Sequence, residues 1–365
     1  MEKEIKYKDG ATPNEAYQYG SFTASDGTVL PYRYYLPKGY KTSNEKYPLF
    51  LYMHGNGSRG DDNEKQLRMY SINAAVYNSG YECIIVAPQC SAAPKAWTLY
   101  EKGGSGNVYP GTEGYAAFLE SGERYGSEYL CAAAELLDVF LTQYRVDTSR
   151  VYLAGGSNGS GASWNLMALY PEVFAAAVPV SGARATEEFV HSIAHRYKDI
   201  AIWTFHGDAD TVVPPNGTRV TYAAVKELGG NIKYTEVAGG DHSNIWRIAA
   251  DTDGLVDWMF SQKNTSFENT IKKAKGKALP APTDPSWMEN TAVWGAVENA
   301  GAYKITIYRN GVAEKTYFTY KNTFTPDLSS MSDGEYTFTV RAYPQNNSFS
   351  ISGESSVSAA LRFLI

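Results

Sequence analysis

Up to residue 262, short apolar runs alternate with longer stretches in which apolar residues recur at helical spacing. Apolar runs bounded by turn residues predict buried strands, and helical spacing predicts amphipathic helices. Strands are predicted in 17–36, as a pair around a turn at 25–28, and at 47–53, 82–87, 151–154, 175–179, 200–205 and 233–237. Helices are predicted over 64–78, 127–145, 160–169, 185–197, 217–229 and 251–262. This alternation predicts an α/β fold, a mainly parallel sheet with helices on both faces.

The pattern changes near residue 264. Residues 264–285 combine a basic stretch with the run Leu-Pro-Ala-Pro, which is typical of a linker. From residue 286 the chain shows short alternating strands, and Asn310-Gly311 is a strong signal for a hairpin turn. We therefore predict a domain over 1–263 and a small all-β sandwich over 286–365. The run 333–342, Asp-Gly-Glu-Tyr-Thr-Phe-Thr-Val-Arg-Ala, resembles a fibronectin type III module.

Charge and cysteine usage narrow the class of protein. The net charge is −6 at pH 7 and no basic block is present, which argues against nucleic acid as a partner. No apolar run is long enough for a membrane span, so no membrane contact is predicted. The three cysteines, Cys83, Cys90 and Cys131, form no disulfide framework. The first residues, Met1–Lys6, contain no apolar leader, and we expect a secreted protein whose signal peptide was removed rather than a cytoplasmic one.

Gly155-Gly156-Ser157-Asn158-Gly159 lies between a predicted strand and a predicted helix. In that context G-x-S-x-G predicts a sharp turn that presents Ser157 as a nucleophile. A flexible glycine loop or an anion-binding turn is the alternative. A phosphate loop would carry Lys after its last glycine, and Ser160 stands there instead.

A serine nucleophile needs a base and an acid that orients the base. The chain has five histidines. His242 follows the last predicted strand and is the predicted base, whereas His54 is expected to brace a loop. In His206-Gly207-Asp208-Ala209-Asp210 the acid is predicted at Asp210, with Asp208 as the alternative.

Two backbone N–H groups are needed to stabilise the oxyanion of a tetrahedral intermediate. One is predicted at Asn158, directly after the nucleophile. The other is predicted at Asn56 in the glycine-containing loop after His54-Gly55, with Gly57 as the alternative.

Several motifs resemble those of α/β-hydrolase esterases. They are 54–63, 87–90, 150–164, 170–179 and 206–214, and they resemble the predicted-peptidase and feruloyl-esterase group related to carbohydrate esterase family 1. Two features depart from the group: Asn158, where relatives often have Met, and the long stretch 91–126. The resemblance implies a serine esterase of the α/β-hydrolase fold that works through an acyl-enzyme, with no cofactor and no metal.

The aromatic content, 14%, favours an ester substrate with flat rings. We predict action on plant cell-wall esters, feruloyl or acetyl groups on xylan, as small-molecule or polysaccharide-linked substrates. The stretch 91–126 is predicted to form a lid-like insertion. The candidate substrate-binding residues are Trp97, Tyr100, Tyr109 and Trp164.

Two other functions stay open. One is a serine peptidase of the prolyl-oligopeptidase-like type acting on small peptides. The other is a non-catalytic binding protein, which the filled Ser, Asp and His positions disfavour. The C-terminal module is expected to serve as a carbohydrate-binding or docking surface.

Overall fold

The computed structural model describes residues 5–92, 96–98, 127–182, 190–191, 193–264, 277–327, 331–345, 349–350 and 352–363. Contacts between these residues divide them into two compact units. The first holds the described residues up to 98, 127–182 and 197–264. The second holds 190–196, except 192, and the described residues from 277 onward. The domain boundaries predicted at 263 and 286 stay a prediction.

In its described part, the first unit is built on a mixed sheet of eight strands in the order β1-β2-β4-β3-β5-β6-β7-β8. Neighbours β1 and β2, and β2 and β4, are antiparallel, and all pairs from β4 to β8 are parallel. The strands are β1 (Gln18–Thr23), β2 (Val29–Tyr35), β3 (Tyr47–Met53), β4 (Ile84–Pro88), β5 (Val146–Gly156), β6 (Ala176–Val180), β7 (Ala201–Gly207) and β8 (Ile232–Val237). The predicted mainly parallel sheet is confirmed.

The helices that flank the sheet follow the predicted alternation. They are α1 (Pro13–Ala16), α2 (Ile72–Asn78), α3 (Glu128–Gln143), α4 (Asn158–Leu169), α5 (Asn216–Glu227), α6 (Ile245–Ala250) and α7 (Leu255–Ser261). Helix α3 begins where the sequence indicates, because the Ser127 side chain caps the N–H of Leu130. The residues of α3 at helical spacing, among them Leu137 and Phe140, are buried.

Three predicted helices differ in the structure. The helix predicted over 251–262 is α7, which begins only at Leu255, after Gly254 with a φ of 70°; the preceding helix α6 was not predicted. Helix α6 follows a tight turn in which the Asp241 carboxylate accepts the N–H groups of Ser243 and Asn244. The helix predicted over 64–78 starts only at Ile72, after a 3₁₀ turn at Lys65–Leu67. The first part of the helix predicted over 185–197 lies outside the described residues, and its end is a 3₁₀ turn at Ala194–Arg196.

The central strands are buried in the core, and their carboxyl ends lie along one edge of the sheet. All residues of β3, β4 and β6 are buried, as expected for parallel strands covered on both faces. The carboxyl ends of β3, β5, β7 and β8 lie at one edge of the sheet, where functional loops of such folds gather. The loops that leave these ends begin at His54, Ser157, Asp208 and Ala238.

The described part of the second unit consists mainly of antiparallel strands. Strands β10-β11-β14 form one sheet, β13-β12-β15-β17 form another, and β9 pairs with β16. Their bounds are β9 (Lys277–Ala278), β10 (Ser286–Met288), β11 (Thr291–Val293), β12 (Ala300–Arg309), β13 (Val312–Thr319), β14 (Thr323–Phe324), β15 (Gly334–Pro344), β16 (Phe349–Ser350) and β17 (Leu361–Phe363). Asn310 and Gly311, both with positive φ, form the predicted hairpin turn between β12 and β13. The likeness to fibronectin type III stays a prediction.

Residues 190–196, except 192, belong to this second unit although they come from the middle of the chain. The His195 ring is buried, and its Nε2 lies 3.2 Å from the carbonyl oxygen of Pro344. A Cβ at Gly301 would lie 2.3 Å from the His195 ring, so glycine is required where the two segments meet.

Candidate active site

Ser157 occupies a strained turn between β5 and α4. Its φ is 52° and its ψ −117°, a conformation that side chains rarely adopt. The turn is closed by glycines: a Cβ at Gly155 would lie 2.2 Å from the Gly159 carbonyl oxygen, and one at Gly159 would lie 2.0 Å from the Met53 carbonyl oxygen. The Ser157 N–H donates to Val180 O at 2.9 Å, which holds the turn against β6. The serine therefore stands at the sheet edge, before the N-terminus of α4.

The structure brings Ser157, His242 and Asp210 together in one line of hydrogen bonds. His242 Nδ1 lies 2.7 Å from Asp210 Oδ2, and His242 Nε2 lies 3.0 Å from Ser157 Oγ. Because a carboxylate only accepts, Nδ1 carries the proton and donates it to Asp210. Nε2 is then left with a lone pair facing the serine hydroxyl, which donates to it. This is the arrangement in which an imidazole can act as a general base toward serine.

The carboxyl group of Asp210 is buried and held from both sides. Its Oδ1 accepts the N–H groups of Val212 and Val213 at 2.9 and 2.8 Å. Burial opposes its charge, but the bonds from Val213, His242 and Val212 together lower the pKa of Asp210 below its usual value. Asp208 is exposed instead, and its Oδ1 accepts the Gly239 N–H at 2.7 Å. Of the two candidate acids, only Asp210 contacts His242 among the described hydrogen bonds.

A second histidine, to which the sequence analysis assigned no role, lies behind Asp210. His206 Nε2 donates to the carbonyl oxygen of Val213 at 2.8 Å and lies 3.4 Å from Asp210 Oδ2. Its Nδ1 accepts from the Thr218 hydroxyl at 2.7 Å, which fixes the tautomer. Burial is the main cause that lowers the pKa of His206, so the ring is neutral. His206 thus braces the turn that presents Asp210, and its position four residues before Asp210 was the available sequence signal.

His54 organises the loop that follows β3. Its Nδ1 donates to Gly55 O at 2.7 Å, and its Nε2 accepts the Cys90 N–H at 2.9 Å. Burial lowers the pKa of His54 to about 4, so the neutral form is held. The expectation that His54 braces a loop is confirmed by these bonds.

The two predicted oxyanion donors belong to peptide groups whose carbonyls are fixed. The peptide before Asn56 has its Gly55 carbonyl bound by His54. The peptide before Asn158 has its Ser157 carbonyl bound by the Gly161 N–H at 3.0 Å. In a planar trans peptide, fixing the carbonyl also fixes the direction of the N–H. Gly55 lies beside Ser157, since a Cβ there would be 3.4 Å from Ser157 Cβ.

The four predicted substrate-binding aromatics divide into two groups. Trp97 and Trp164 are 1% and 4% exposed, and both pack inside the first unit. Trp97 Nε1 donates to His54 O at 2.9 Å, and the Trp164 ring packs edge-on against Tyr197. Tyr100 and Tyr109 lie outside the described residues, as does most of the predicted lid-like insertion. Substrate binding by these residues stays a prediction.

Another aromatic residue, Trp246, lies next to the Ser157 turn. Trp246 Nε1 donates to His242 O at 2.5 Å, and its ring meets the His242 ring edge-on at 5.3 Å. A Cβ at Gly156 would lie 1.7 Å from Trp246 Cζ3. Trp246 therefore fills the space beside the turn while holding the histidine loop. No pattern in the sequence indicated this contact.

The described residues contain neither a metal-binding cluster nor a helix that could span a membrane. In the described residues, no group of three or more His, Cys, Asp or Glu side chains could hold a metal ion. Across the same parts of the chain, every helix is too short or too polar to cross a membrane.

Residues 30–196 match the model of the family described as esterase PHB depolymerase. A crystal structure described as that of a thermostable esterase is 29% identical with a TM-score of 0.55, covering 68% of this chain and 63% of that chain. A structure described as a ferulic acid esterase is 17% identical with a TM-score of 0.46, covering 67% of this chain and 97% of that chain. A protein of Arthroderma benhamiae described as an uncharacterized secreted protein is 28% identical over 25% of this chain and 12% of its own length.

The chain thus spans less than two thirds of both the thermostable esterase and the Arthroderma protein. Its fold is α/β-hydrolase-like, a mixed sheet with flanking helices. In the region that contains Ser157, its sequence is similar to an esterase family.

Proposed function

We propose that the protein is a serine carboxylic-ester hydrolase that works through an acyl-enzyme. The observation that carries this proposal is the line of hydrogen bonds from Asp210 through His242 to Ser157, with 2.7 and 3.0 Å between the bonded atoms. The match of residues 30–196 to an esterase family supports the same reaction class.

In the first half of the reaction, Ser157 Oγ attacks the carbonyl carbon of the ester. His242 Nε2 takes the hydroxyl proton as the new C–O bond forms, and the carbonyl π electrons move to the oxygen. The buried Asp210 carboxylate stabilises the imidazolium and keeps it oriented. When the tetrahedral intermediate collapses, the bond to the alcohol breaks and His242 gives its proton to the departing oxygen.

The second half repeats these steps with water. His242 Nε2 removes a proton from a water molecule that attacks the acyl carbon, and the proton then returns to Ser157 Oγ. A carboxylic acid leaves and the enzyme is regenerated. In both halves the oxyanion is stabilised by the Asn56 and Asn158 N–H groups, whose peptides lie at the serine.

The proposed substrates are plant cell-wall esters, feruloyl or acetyl groups carried on xylan. The aromatic content of 14% and the aromatic residues of 91–126 support an acyl group or sugar ring that stacks. The C-terminal module would then serve as a carbohydrate-binding or docking surface. Hydrolysis of p-nitrophenyl acetate, methyl ferulate, acetylated xylan and aminoacyl-nitroanilides by the purified chain separates these substrates from peptides. Faster cleavage of the nitroanilides than of the esters would favour the peptidase alternative.

The nucleophile is tested with Ser157→Ala and a matched control, Ser160→Ala. Both residues lie at the start of α4, and Ser160 Oγ is buried with no hydrogen-bond partner in the described structure, so its removal breaks no bond. Ser157→Ala should lose at least a thousandfold in kcat, about the cost of removing a triad serine, and should no longer be labelled by a fluorophosphonate. Ser160→Ala should keep both properties. A Ser157→Ala variant with activity within tenfold of the parent would refute the proposal.

A further inference from the structure

The side chain of Asn158, only 3% exposed, is bound by a segment that follows β4 in the chain. Its Oδ1 accepts the Trp97 N–H at 2.8 Å, and its Nδ2 donates to Thr98 Oγ1 at 2.6 Å. Both partners are themselves buried. An amide buried in this way is costly to leave unsatisfied, so these bonds hold residues 96–98 in one place relative to Asn158.

Trp97 continues the connection to the loop after β3. Its indole Nε1 donates to His54 O at 2.9 Å, and its ring lies 5.0 Å from the His54 ring. Its own carbonyl accepts the Ser127 hydroxyl at 2.9 Å, which anchors the segment to the start of α3. Trp97 thus binds Asn158 with its backbone and His54 with its side chain.

We propose that the Asn158 side chain, Trp97 and Thr98 form a clamp that sets the spacing between the two oxyanion donors. This inference rests on the proposed function, in which the Asn56 and Asn158 N–H groups stabilise the oxyanion. In the clamp, Asn158, Trp97 and Thr98 act as positioning residues through their side chains. The Asn158 backbone N–H remains the donor.

The pairing of β3 with β5 ends at Met53 and Gly155, so it does not reach the two donors, which lie in the loops beyond. Asn158 follows β5 and Asn56 follows β3, and each peptide is oriented by a bond within its own loop. Those local bonds fix direction but not the distance between the loops. The path from Asn158 through Trp97 to His54 joins the loops directly, in a buried setting where hydrogen-bond geometry is well defined. Oxyanion stabilisation depends on donor placement to within a fraction of an ångström.

Three variants loosen the clamp without removing a donor: Thr98→Val, Trp97→Phe and Asn158→Leu. Each should lower kcat on p-nitrophenyl acetate tenfold or more, with KM changed less than threefold, because the oxyanion forms only after binding. Binding of a tetrahedral boronate or phosphonate inhibitor should weaken in proportion to kcat/KM. Thr98→Ser keeps the hydroxyl and should restore the parent kcat. Rates are given per active site, titrated with a fluorophosphonate.

Asn165→Leu is the matched control, since Asn165 is another buried asparagine of α4 that no hydrogen bond in the described structure links to 96–98. It should lower Tm but leave kcat per active site within twofold of the parent. The clamp is refuted if Thr98→Val and Trp97→Phe fold and keep the parent kcat, or if their kcat falls no more than that of Asn165→Leu. If the clamp is refuted in this way but the fluorophosphonate labels Ser157 of the parent protein, the hydrolase proposal still stands. A parent that is neither labelled nor active overturns the hydrolase proposal and the clamp with it.

Discussion

At the residue scale, the environment of each ionisable side chain determines its role. Asp210, His206 and His54 all lie at strand ends and are all buried, yet their hydrogen bonds differ. Asp210 has donors on both oxygens and remains charged, whereas both rings are kept neutral by burial and are fixed in one tautomer. The two neutral histidines therefore brace loops, and the half-buried His242 is the ring that contacts Ser157.

The choice of acid is tested by comparing Asp210→Asn with Asp208→Asn. The amide introduced by Asp210→Asn would carry no charge to stabilise imidazolium and could donate to His242 Nδ1, which favours the wrong tautomer. We expect kcat to fall by about 10²–10⁴. Asp208 is exposed and bonds Gly239, so Asp208→Asn should keep kcat within threefold. The kcat of each variant is measured on p-nitrophenyl acetate. A larger loss in Asp208→Asn than in Asp210→Asn would assign the acid to Asp208.

His54 should make the stability of the chain depend on pH. Its pKa is about 4 in the folded state against an ordinary value of 6.5, so the unfolded state binds the extra proton between these values. Its contribution is present above pH 6.5 and is lost as pH falls toward 4, on the order of 3 kcal/mol in total. Urea unfolding followed by circular dichroism should show a shallower loss of stability between pH 6.5 and 4.5 in His54→Asn. Equal slopes would contradict a neutral buried His54.

At the element scale, glycines allow the strand β5, the helix α4 and the helix α6 to meet at Ser157. Because they lack a side chain, Gly155 and Gly159 let neighbouring backbone approach closely, and Gly156 leaves room for the Trp246 ring. Since Trp246 also bonds the His242 carbonyl, the packing of α6 is connected to the position of His242. Packing at this turn should therefore affect turnover as well as stability.

Gly156→Ala tests that connection. The added Cβ would overlap Trp246, and overpacking of this kind costs about 1–3 kcal/mol. We expect a lower Tm and a kcat reduced at least tenfold, because the ring must move with the His242 loop. The double variant Gly156→Ala/Trp246→Ala should lose less stability than the sum of the single variants.

Gly353→Ala is the control for Gly156→Ala. Gly353 has open space around it and no positive φ, so neither property should change. If the stability losses of Gly156→Ala and Trp246→Ala simply add in the double variant, the Ser157 turn and Trp246 do not interact, and the proposed connection is wrong.

At the scale of the whole molecule, the two units differ in what they contribute. Ser157, Asp210 and His242 all lie in the first unit, together with the strands that position them. The second unit includes residues 190–196, which come from between β6 and β7 of the sheet. The chain therefore leaves the first unit and returns to it.

Truncation after residue 263 should lower the stability of the chain and leave its ester hydrolysis nearly unchanged. The variant keeps every proposed catalytic group, so kcat per titrated site on p-nitrophenyl acetate should stay within threefold. Its Tm should fall, because the segment around His195 loses partners such as the Pro344 carbonyl. Folded but inactive protein would instead place part of the active site in residues 264–365.

The sequence by itself determined most of the order of strands and helices along the chain, and it singled out Ser157, Asp210 and His242, which the structure brings together. Buried strands such as β3 are uninterrupted apolar runs, and the Ser157 turn has glycines where backbones touch, so local pattern carried this information. At the last two helices of the first unit the apolar pattern was wrong: it did not predict α6, which follows the Asp241 turn, and it began α7 at residue 251, whereas the helix begins at Leu255 after Gly254.

Only the tertiary structure decided which of the candidate side chains contact one another. Asp208 and Asp210 are two residues apart, and the fold turns one carboxylate to solvent and the other to His242. Trp97 and Trp246 are aromatic residues whose spacing says nothing about function, yet one joins His54 to Asn158 and the other fills the space at Gly156. The physical reason is that such contacts join residues far apart in the chain. They depend on how strands order in the sheet, and no local pattern of apolar and polar positions encodes that order.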